Sequence, residues 1–251
     1  MLFRSFAVPG ADGEMRSLHV IRDKFEGSVH GKQLCVGCHK DITAIPHGKN
    51  GRIQVGCVQC HEKLWAQAQQ DGRAQQFATL GRVKQQIDHY MRSIHARPNM
   101  EDQSRTNATC YNCHDAHYVY PKGSPIRTEW RLHIPDTCGK CHAAERAAYA
   151  HSVHGEEVLQ KSNSAAAVCS DCHTTHDVEN PAMDSTRLVI TRNCGNCHAD
   201  SLKSYTDTYH GKVNTLGYAY TAKCFDCHGS HGIQRVSDPA SSVYRSEEHT
   251  S

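Results

Sequence analysis

The sequence has few of the residues that usually build a protein interior. Among its 251 residues only 38% are apolar even with cysteine counted, and only 7% are aromatic. A globular chain of this length normally buries a large apolar core, and this composition supplies little of one. No run of 18 apolar residues occurs, which excludes a membrane-spanning helix within the printed residues. The formal net charge is only +2, so the charge balance indicates no nucleic-acid partner.

Cysteine occurs in one pattern only. The 14 cysteines form seven Cys-x-x-Cys pairs, and a histidine follows each pair directly. Cys-x-x-Cys-His is the attachment signature of c-type haem, in which both thiols bond to the porphyrin and the histidine binds the iron. The predicted attachment residues are Cys35, Cys38, Cys57, Cys60, Cys110, Cys113, Cys138, Cys141, Cys169, Cys172, Cys194, Cys197, Cys224 and Cys227. The predicted fifth ligands are His39, His61, His114, His142, His173, His198 and His228.

Cys-x-x-Cys pairs also occur in zinc sites, thioredoxin-like redox sites and disulfide frameworks. A zinc site would not need histidine directly after the second cysteine, and a disulfide framework would not repeat one spacing seven times. With 20 histidines in 251 residues, seven such coincidences have a chance on the order of 10^-8. Covalent haem is therefore the interpretation we adopt. Because this attachment is made outside the cytoplasmic membrane, we expect a periplasmic or extracellular location.

Eight further histidines recur in two patterns. Four lie in a segment such as Ser152-Val153-His154-Gly155, and three follow a motif histidine by three residues, as Cys-His-x-x-His. His47 takes the corresponding place after the first motif, with a longer spacer. Low-spin haem needs a sixth ligand, and no methionine recurs in the repeat, so we predict bis-histidine coordination. The predicted sixth ligands are His30, His47, His95, His117, His154, His176, His210 and His231.

Eight predicted sixth ligands fit eight haems, one more than the seven motifs hold. A histidine three residues after a fifth ligand is tied to the near side of its own haem, so we expect it to reach a neighbouring one. His231 is expected to serve a motif outside this chain. The four remaining histidines are interpreted as surface or packing residues, and four methionines as packing residues. These are His19, His89, His133 and His151, and Met15, Met91, Met100 and Met183.

The motifs and patterned histidines recur about every 60 residues. We expect residues 6–27 to be a lead-in, 28–92 to be di-haem unit 1 with a helical linker, 93–151 unit 2, 152–207 unit 3, and 208–244 an incomplete unit 4 with one motif. The two motifs of a unit begin 22, 28 and 25 positions apart in units 1 to 3, so a partner of Cys224 is expected between about 246 and 252.

Both ends of the chain resemble translated sequencing-adapter sequence, over residues 1–5 and 245–251. We therefore expect an internal piece of a longer protein, and His249 is not counted as a ligand. The composition predicts a mainly α, haem-packed protein of low secondary-structure content, with long loops. The Gln- and Ala-rich stretch from Glu62 to Tyr90 predicts a helix broken near Gly72 and Gly81. Further helices are predicted over 142–161 and 200–209.

The seven motifs, the Cys-His-x-x-His extensions and the Ser-Val-His-Gly segments resemble the multihaem c-type cytochromes of anaerobic respiration, in particular the cytochrome c3/c7-like families. The resemblance covers residues 28–236. It implies electron transfer from a quinol-linked donor to a periplasmic or extracellular acceptor, with no catalytic residue. Relatives often continue into a membrane-embedded cytochrome b-like part. The resemblance thus implies redox partner proteins, a quinol-oxidising part of this kind among them, and membrane association through segments outside this chain.

Two other readings stay open. A nitrite- or hydroxylamine-type multihaem reductase or oxidase would need one haem with an open sixth position. A Cys-x-x-Cys-Lys motif would indicate such a haem, and none occurs. An extracellular filament subunit would need histidine ligation between subunits.

Overall fold

The computed structural model describes residues 7–9, 15–17, 19–42 and 56–244. The chain divides into two compact bodies. The first comprises Met1–Ala74 and Cys110–Arg127, and the second comprises Gln75–Thr109 and Thr128–Ser251. His47 and the two adapter-like ends lie outside the described residues, so the predictions made for them remain predictions.

The described residues are mainly helical, which confirms the predicted fold class. A single two-stranded antiparallel sheet pairs β1 with β2 among these residues. A 3₁₀ turn, Ile94–Ala96, and a π-helical turn, Glu156–Gln160, accompany the α-helices. No described helix is long and apolar enough to cross a membrane. The strands and α-helices are β1 (Ala7–Pro9), β2 (Met15–Ser17), α1 (Arg22–Glu26), α2 (Cys35–Cys38), α3 (Cys57–Gln70), α4 (Ala78–Arg92), α5 (Cys110–Cys113), α6 (Pro125–Leu132), α7 (Ile134–Gly139), α8 (Ala143–Ala150), α9 (Val153–Gly155), α10 (Cys169–His173), α11 (Asp184–Cys194), α12 (Ala199–Asp207), α13 (Tyr209–Thr215) and α14 (Cys224–His228).

The Cys-x-x-Cys-His motifs adopt helical turns in two ways. The first, third, fifth and seventh motifs each begin a short helix of their own, namely α2, α5, α10 and α14. The second motif begins α3, whereas the fourth and sixth start at the ends of α7 and α11. Residues three apart share a face of a helix, so a helical turn places both thiols of a motif on one side.

The predicted helices are largely confirmed. α3 ends at Gln70, and Gly72, with φ +67°, lies in the break before α4. The predicted break at Gly81 is wrong, because Gly81 lies inside α4. A glycine costs a helix only about 1 kcal/mol, and burial of Ile87 on the same helix favours helix in spite of that cost. α8 and α12 confirm the two later helices, the first of which is interrupted at Ser152.

The protein interior is small. Only seven hydrophobic residues among those described are buried, namely Ala68, Ile87, Ile134, Tyr149, Val158, Val168 and Ala219. Three of them, Ile134, Val158 and Val168, form one cluster in the second body. Cys138 and Cys169 pack against this cluster, so the attachment cysteines of two motifs adjoin the best-packed part of that body.

Candidate haem sites

The motif histidines face the patterned histidines in five ring pairs. Ring centroids are 6.1 Å apart in His30–His61, 6.2 Å in His39–His117, 6.4 Å in His95–His142, 6.2 Å in His154–His198 and 5.9 Å in His173–His231. In every pair one ring belongs to a Cys-x-x-Cys-His motif and the other to a predicted sixth ligand. The partners are at least 31 positions apart in sequence, so folding rather than local spacing brings them together.

The pairs follow a register. The histidine of a Ser-x-His segment faces the second motif of its own repeat, as His154 faces His198. The histidine of a Cys-His-x-x-His segment faces a motif two places earlier, as His117 faces His39. His231 obeys the same rule and faces His173, so the expectation that it serves a motif outside this chain is wrong.

The separation of the paired rings fits an iron ion between them. Two imidazoles on opposite sides of one metal ion have centroids about 6 Å apart, given metal–nitrogen bonds of about 2 Å and about 1.1 Å from each nitrogen to its ring centroid. The observed 5.9–6.4 Å matches that value. The Nδ1 atom of His61 is buried without a hydrogen-bond partner among the described residues. The residues present therefore fit haem iron with two histidine ligands.

Hydrogen bonds orient two of the predicted sixth ligands. The Nδ1 atom of His30 lies 3.0 Å from the carbonyl oxygen of Ala116. Since a carbonyl only accepts, this bond places a proton on Nδ1 and leaves the Nε2 lone pair available for a metal. The Nδ1 atom of His176 lies 2.7 Å from Oε1 of Gln86, which selects the same tautomer.

The surroundings favour neutral imidazoles. Burial lowers the pKa of His61, His95, His154 and His173, and the charge of the facing histidine lowers each further. For His154 the carboxylate of Asp171 opposes this shift, but burial has the larger effect on its pKa. A metal binds imidazole in its neutral form, so these shifts suit the ligand role.

The first cysteines of consecutive motifs come together in three thiol pairs. Hydrogen bonds join Cys57 to Cys110, Cys138 to Cys169 and Cys194 to Cys224. The bond from Cys110 lowers the pKa of Cys57 to about 6, and the pKa of Cys110 is raised correspondingly. Each pair joins a second motif of one repeat to the first motif of the next. The porphyrin edges attached at the two members of a pair must therefore be neighbours.

A recurring tyrosine anchors the peptide that leads into these motifs. The Tyr149 hydroxyl donates to the Ala167 carbonyl at 2.8 Å, two residues before Cys169. Tyr90 and Tyr205 make the same contact, at 2.7 Å and 2.8 Å, with alanines two residues before Cys110 and Cys224. Each tyrosine also lies three residues before the Ser or Thr of a patterned histidine segment. It thus joins a predicted sixth ligand to the next attachment site.

An ion pair braces two of the thiol pairs. Arg131 binds Asp171 through two contacts of 3.1 and 2.7 Å, and donates to the carbonyls of Ser164 and Ala166. Asp171 in turn accepts from the Val168 backbone N–H at 2.7 Å. The equivalent ion pair joins Arg187 to Asp226 through a single contact of 3.3 Å. Arg187 lies seven residues before Cys194, as Arg131 lies seven residues before Cys138. Sequence reasoning missed these residues, although the arginine recurs at one spacing from the motif.

Several predicted ligands stand apart from the five pairs. His210 and His228 are exposed, and among the described residues neither has a histidine ring facing it. Of the histidines predicted not to bind iron, His89 lies 3.6 Å from Asp177 and His133 4.0 Å from Asp136. The prediction that the methionines pack in the interior is wrong. Met15, Met91, Met100 and Met183 are all exposed, because the small core buries few apolar side chains among the described residues.

No three or more His, Cys, Asp or Glu side chains converge as a metal cluster within the part of the chain that the structure describes.

Neither a search of curated proteins nor a search of solved structures found a match to the chain. One family model matches residues 56–143, described as cytochrome c554 and c-prime. The matched segment contains the second, third and fourth motifs. This match does not confirm the c3/c7-like assignment. The match supports the wider class, a c-type cytochrome that binds haem covalently and transfers electrons.

Proposed function

We propose that this chain is a multihaem electron carrier with seven covalently bound haems, at least five of them with bis-histidine coordination. The observation that carries the proposal is the set of five histidine pairs at 5.9–6.4 Å. Chance contacts between histidines would not select one motif histidine and one patterned histidine every time. Haem iron, when bound, supplies one-electron oxidation and reduction.

The side chains perform the binding and the tuning. The fourteen cysteines would hold the porphyrins, and each pair of facing imidazoles would supply two histidine ligands to an iron. At each of these five paired sites the protein would supply both histidine ligands, which leaves no place for substrate on the iron and suits transfer of electrons rather than turnover. Histidine ligation without methionine favours low potentials among c-type haems.

Two of the thiol pairs support a path for electrons within the second body. Within the second body, Cys138 contacts Cys169 and Cys194 contacts Cys224, so the second motif of one repeat adjoins the first motif of the next. The Cys-His-x-x-His register links motifs two places apart, as in the pair His173–His231. These contacts connect the fourth, fifth, seventh and sixth motifs, in that order, into one series within the second body.

The physiological setting is part of the proposal. Covalent haem attachment outside the cytoplasmic membrane supports a periplasmic or extracellular site of action. A quinol-linked donor, such as a membrane cytochrome b-like part, and a periplasmic or extracellular acceptor fit a chain of low-potential haems. The redox partners are then proteins that dock transiently on an exposed haem edge.

The experiment that tests the proposal exchanges one paired histidine for methionine. His154→Met should leave seven haems by intact mass and convert one low-spin haem from bis-histidine to histidine–methionine coordination. The potential of that haem should rise, since methionine favours the reduced iron. The matched control is His151→Met, three residues away, exposed and outside the five pairs. Spectra and potentiometric titrations of His154→Met that equal those of the control would contradict the proposed ligand role.

The competing reading, a multihaem reductase or oxidase, is tested separately. The fully reduced protein is mixed with nitrite and, in a second experiment, with hydroxylamine, and reoxidation is followed by absorbance. An electron carrier should show no saturable, catalytic reoxidation. Sustained turnover with either substrate would favour the enzyme.

A further inference from the structure

Each repeat is covered by the next in the same way. The backbone N–H of the residue before a patterned histidine donates to a carbonyl two residues after the next Cys-His-x-x-His segment. These bonds are Val29 to Val119 at 2.8 Å, Ile94 to Val178 at 2.8 Å, and Val153 to Ile233 at 2.9 Å. Repeat proteins commonly grow by such nearest-neighbour contacts. The bonds define a docking face on each repeat.

The fourth repeat builds the same face. Thr208 accepts from the Gly211 backbone N–H at 3.1 Å, as Ser152 accepts from Gly155 at 3.0 Å. Its helix α13 therefore starts with the same cap that positions His154 in the third repeat. The fourth repeat thus has the same local structure as the third at this segment, although no following repeat covers it among the described residues.

The fourth face differs in its exposure. Ser93 and Ser152 are each 1% exposed in the second and third repeats and Ser28 is half-buried in the first, whereas Thr208 is exposed; Tyr209 is 73% exposed, compared with 52% for the equivalent Val29. The Tyr209 N–H has no acceptor among the described residues, although the equivalent N–H of Val153 bonds to Ile233. Large apolar side chains lie open along the same segment, with Leu216 87% and Tyr220 73% exposed. Exposed patches of this kind mark interaction sites more often than free surface.

This face carries two histidines without a facing histidine among the described residues, His210 and His228. His210 occupies the position of His154, which faces a second-motif histidine. His228 occupies the position of His173, which faces the histidine of a following Cys-His-x-x-His segment. Neither has such a partner in residues 56–244 or elsewhere in the described chain. His210 would offer an imidazole to an iron in a neighbouring unit. The iron bound by His228 would take an imidazole from such a unit.

We propose that this face, defined by Thr208, Tyr209, His210 and His228, docks a further haem-binding unit of the same repeat array. That unit would supply a histidine opposite His228, a Cys-x-x-Cys-His motif opposite His210, and a carbonyl for Tyr209. The proposal rests on the haem ligation proposed above. A second copy of this chain could not offer His61, His142 or His198, because each already faces a histidine, so it could fill the face only by pairing His210 of each copy with His228 of the other, which departs from the register of the five pairs.

The test uses two probes on the haem-loaded chain. Electron paramagnetic resonance should find about one high-spin ferric haem in the chain, and free imidazole should convert it to low spin. A short c-type haem peptide with one Cys-x-x-Cys-His and an open sixth position should become low spin when bound by His210. The variant His210→Ala should lose haem-peptide binding and keep the imidazole response. The matched control His151→Ala should keep both.

Three results would overturn the proposal. They are seven low-spin haems with no response to imidazole, haem-peptide binding that survives His210→Ala, and a dimer in sedimentation that depends on His210. The last would assign the face to a second copy. A haem count far below seven by intact mass would instead contradict the proposed function, so the two failures are distinguishable. A long sequencing read of the native gene tests whether the docked unit belongs to the same repeat array. We expect the unit in the same reading frame, and a docked unit encoded by another gene would contradict the proposal.

Discussion

At the scale of single residues, the position directly after the fifth and the seventh motif is held in an unusual conformation. Gly229 follows His228 with φ +80°, and Thr174 follows His173 with φ +66° and ψ −178°. This region is essentially reserved for glycine, and another residue there costs about 1–3 kcal/mol. The Thr174 hydroxyl oxygen is in addition buried without a partner among the described residues. Thr174 is therefore strained in two respects.

Thr174→Gly should consequently stabilise the haem-loaded protein, by about 1 kcal/mol once the greater flexibility of unfolded glycine is counted. The measurement is the free energy of unfolding from denaturant titration followed by circular dichroism. The reverse exchange, Gly229→Thr, is the matched control and should destabilise by a similar amount. A Thr174→Gly protein no more stable than the parent would show that threonine is tolerated at this position.

The glycine after a patterned histidine is required by a close backbone approach. A Cβ atom on Gly155 would collide with the Tyr149 carbonyl oxygen. The second repeat has Ala96 at this place and forms a 3₁₀ turn instead, which shows how the clash can be avoided. Gly155→Ala should destabilise by about 1–3 kcal/mol, as overpacking usually does, whereas Ala96→Gly should change the unfolding free energy by about 1 kcal/mol or less. Equal effects would contradict the steric account.

At the scale of the elements, the haem attachment helices depend on contacts from their neighbours. α10 has five residues, too few to be stable alone. Asp171 caps it by accepting from the Val168 N–H. Arg131 holds that carboxylate in place and also donates to the carbonyl of Ala166, just before the helix. The bidentate arginine makes this brace stronger than the single Arg187–Asp226 contact at α14.

Asp171→Asn should therefore cost about 2 kcal/mol of stability, since hydrogen bonds to charged groups contribute about 1.5–3 kcal/mol each. Asp226→Asn should cost about half as much, because its arginine contact is longer and single and its contact with the buried Lys223 ammonium is long, at 3.4 Å. Denaturant titration of both variants in the haem-loaded protein checks the order. A larger loss at Asp226 would show that its ion pair with Lys223, rather than the arginine contact, sets the stability of this helix, since both carboxylates make the same cap.

The sequence predicted the helices well, because they depend on short spacings, and the attachment sites stay a prediction from the same kind of spacing. One helical turn fixes a Cys-x-x-Cys-His motif, and the break at Gly72 needs only local backbone freedom. The ring pairs could not be predicted, since His39 and His117 meet only when successive repeats stack. For the same reason His231 was assigned to the wrong motif. Spacing identified the set of histidines, and stacking determined which of them face each other.

At the scale of the whole molecule, the protein part is too thinly packed to hold its fold unaided. Seven buried hydrophobic residues in the described chain are few for 251 residues, and burial of apolar surface is the main stabilising term in folding. Haems covered by the chain would add the apolar surface that is missing. Protein made without haem attachment should therefore lose most of its helical signal in far-ultraviolet circular dichroism and unfold without a cooperative transition. The haem-loaded protein, purified in the same buffer, is the control and should melt cooperatively. A cooperative transition in the haem-free chain would mean that the cluster around Val168 is sufficient to stabilise the fold. The haems would then add function to a fold that is already stable without them.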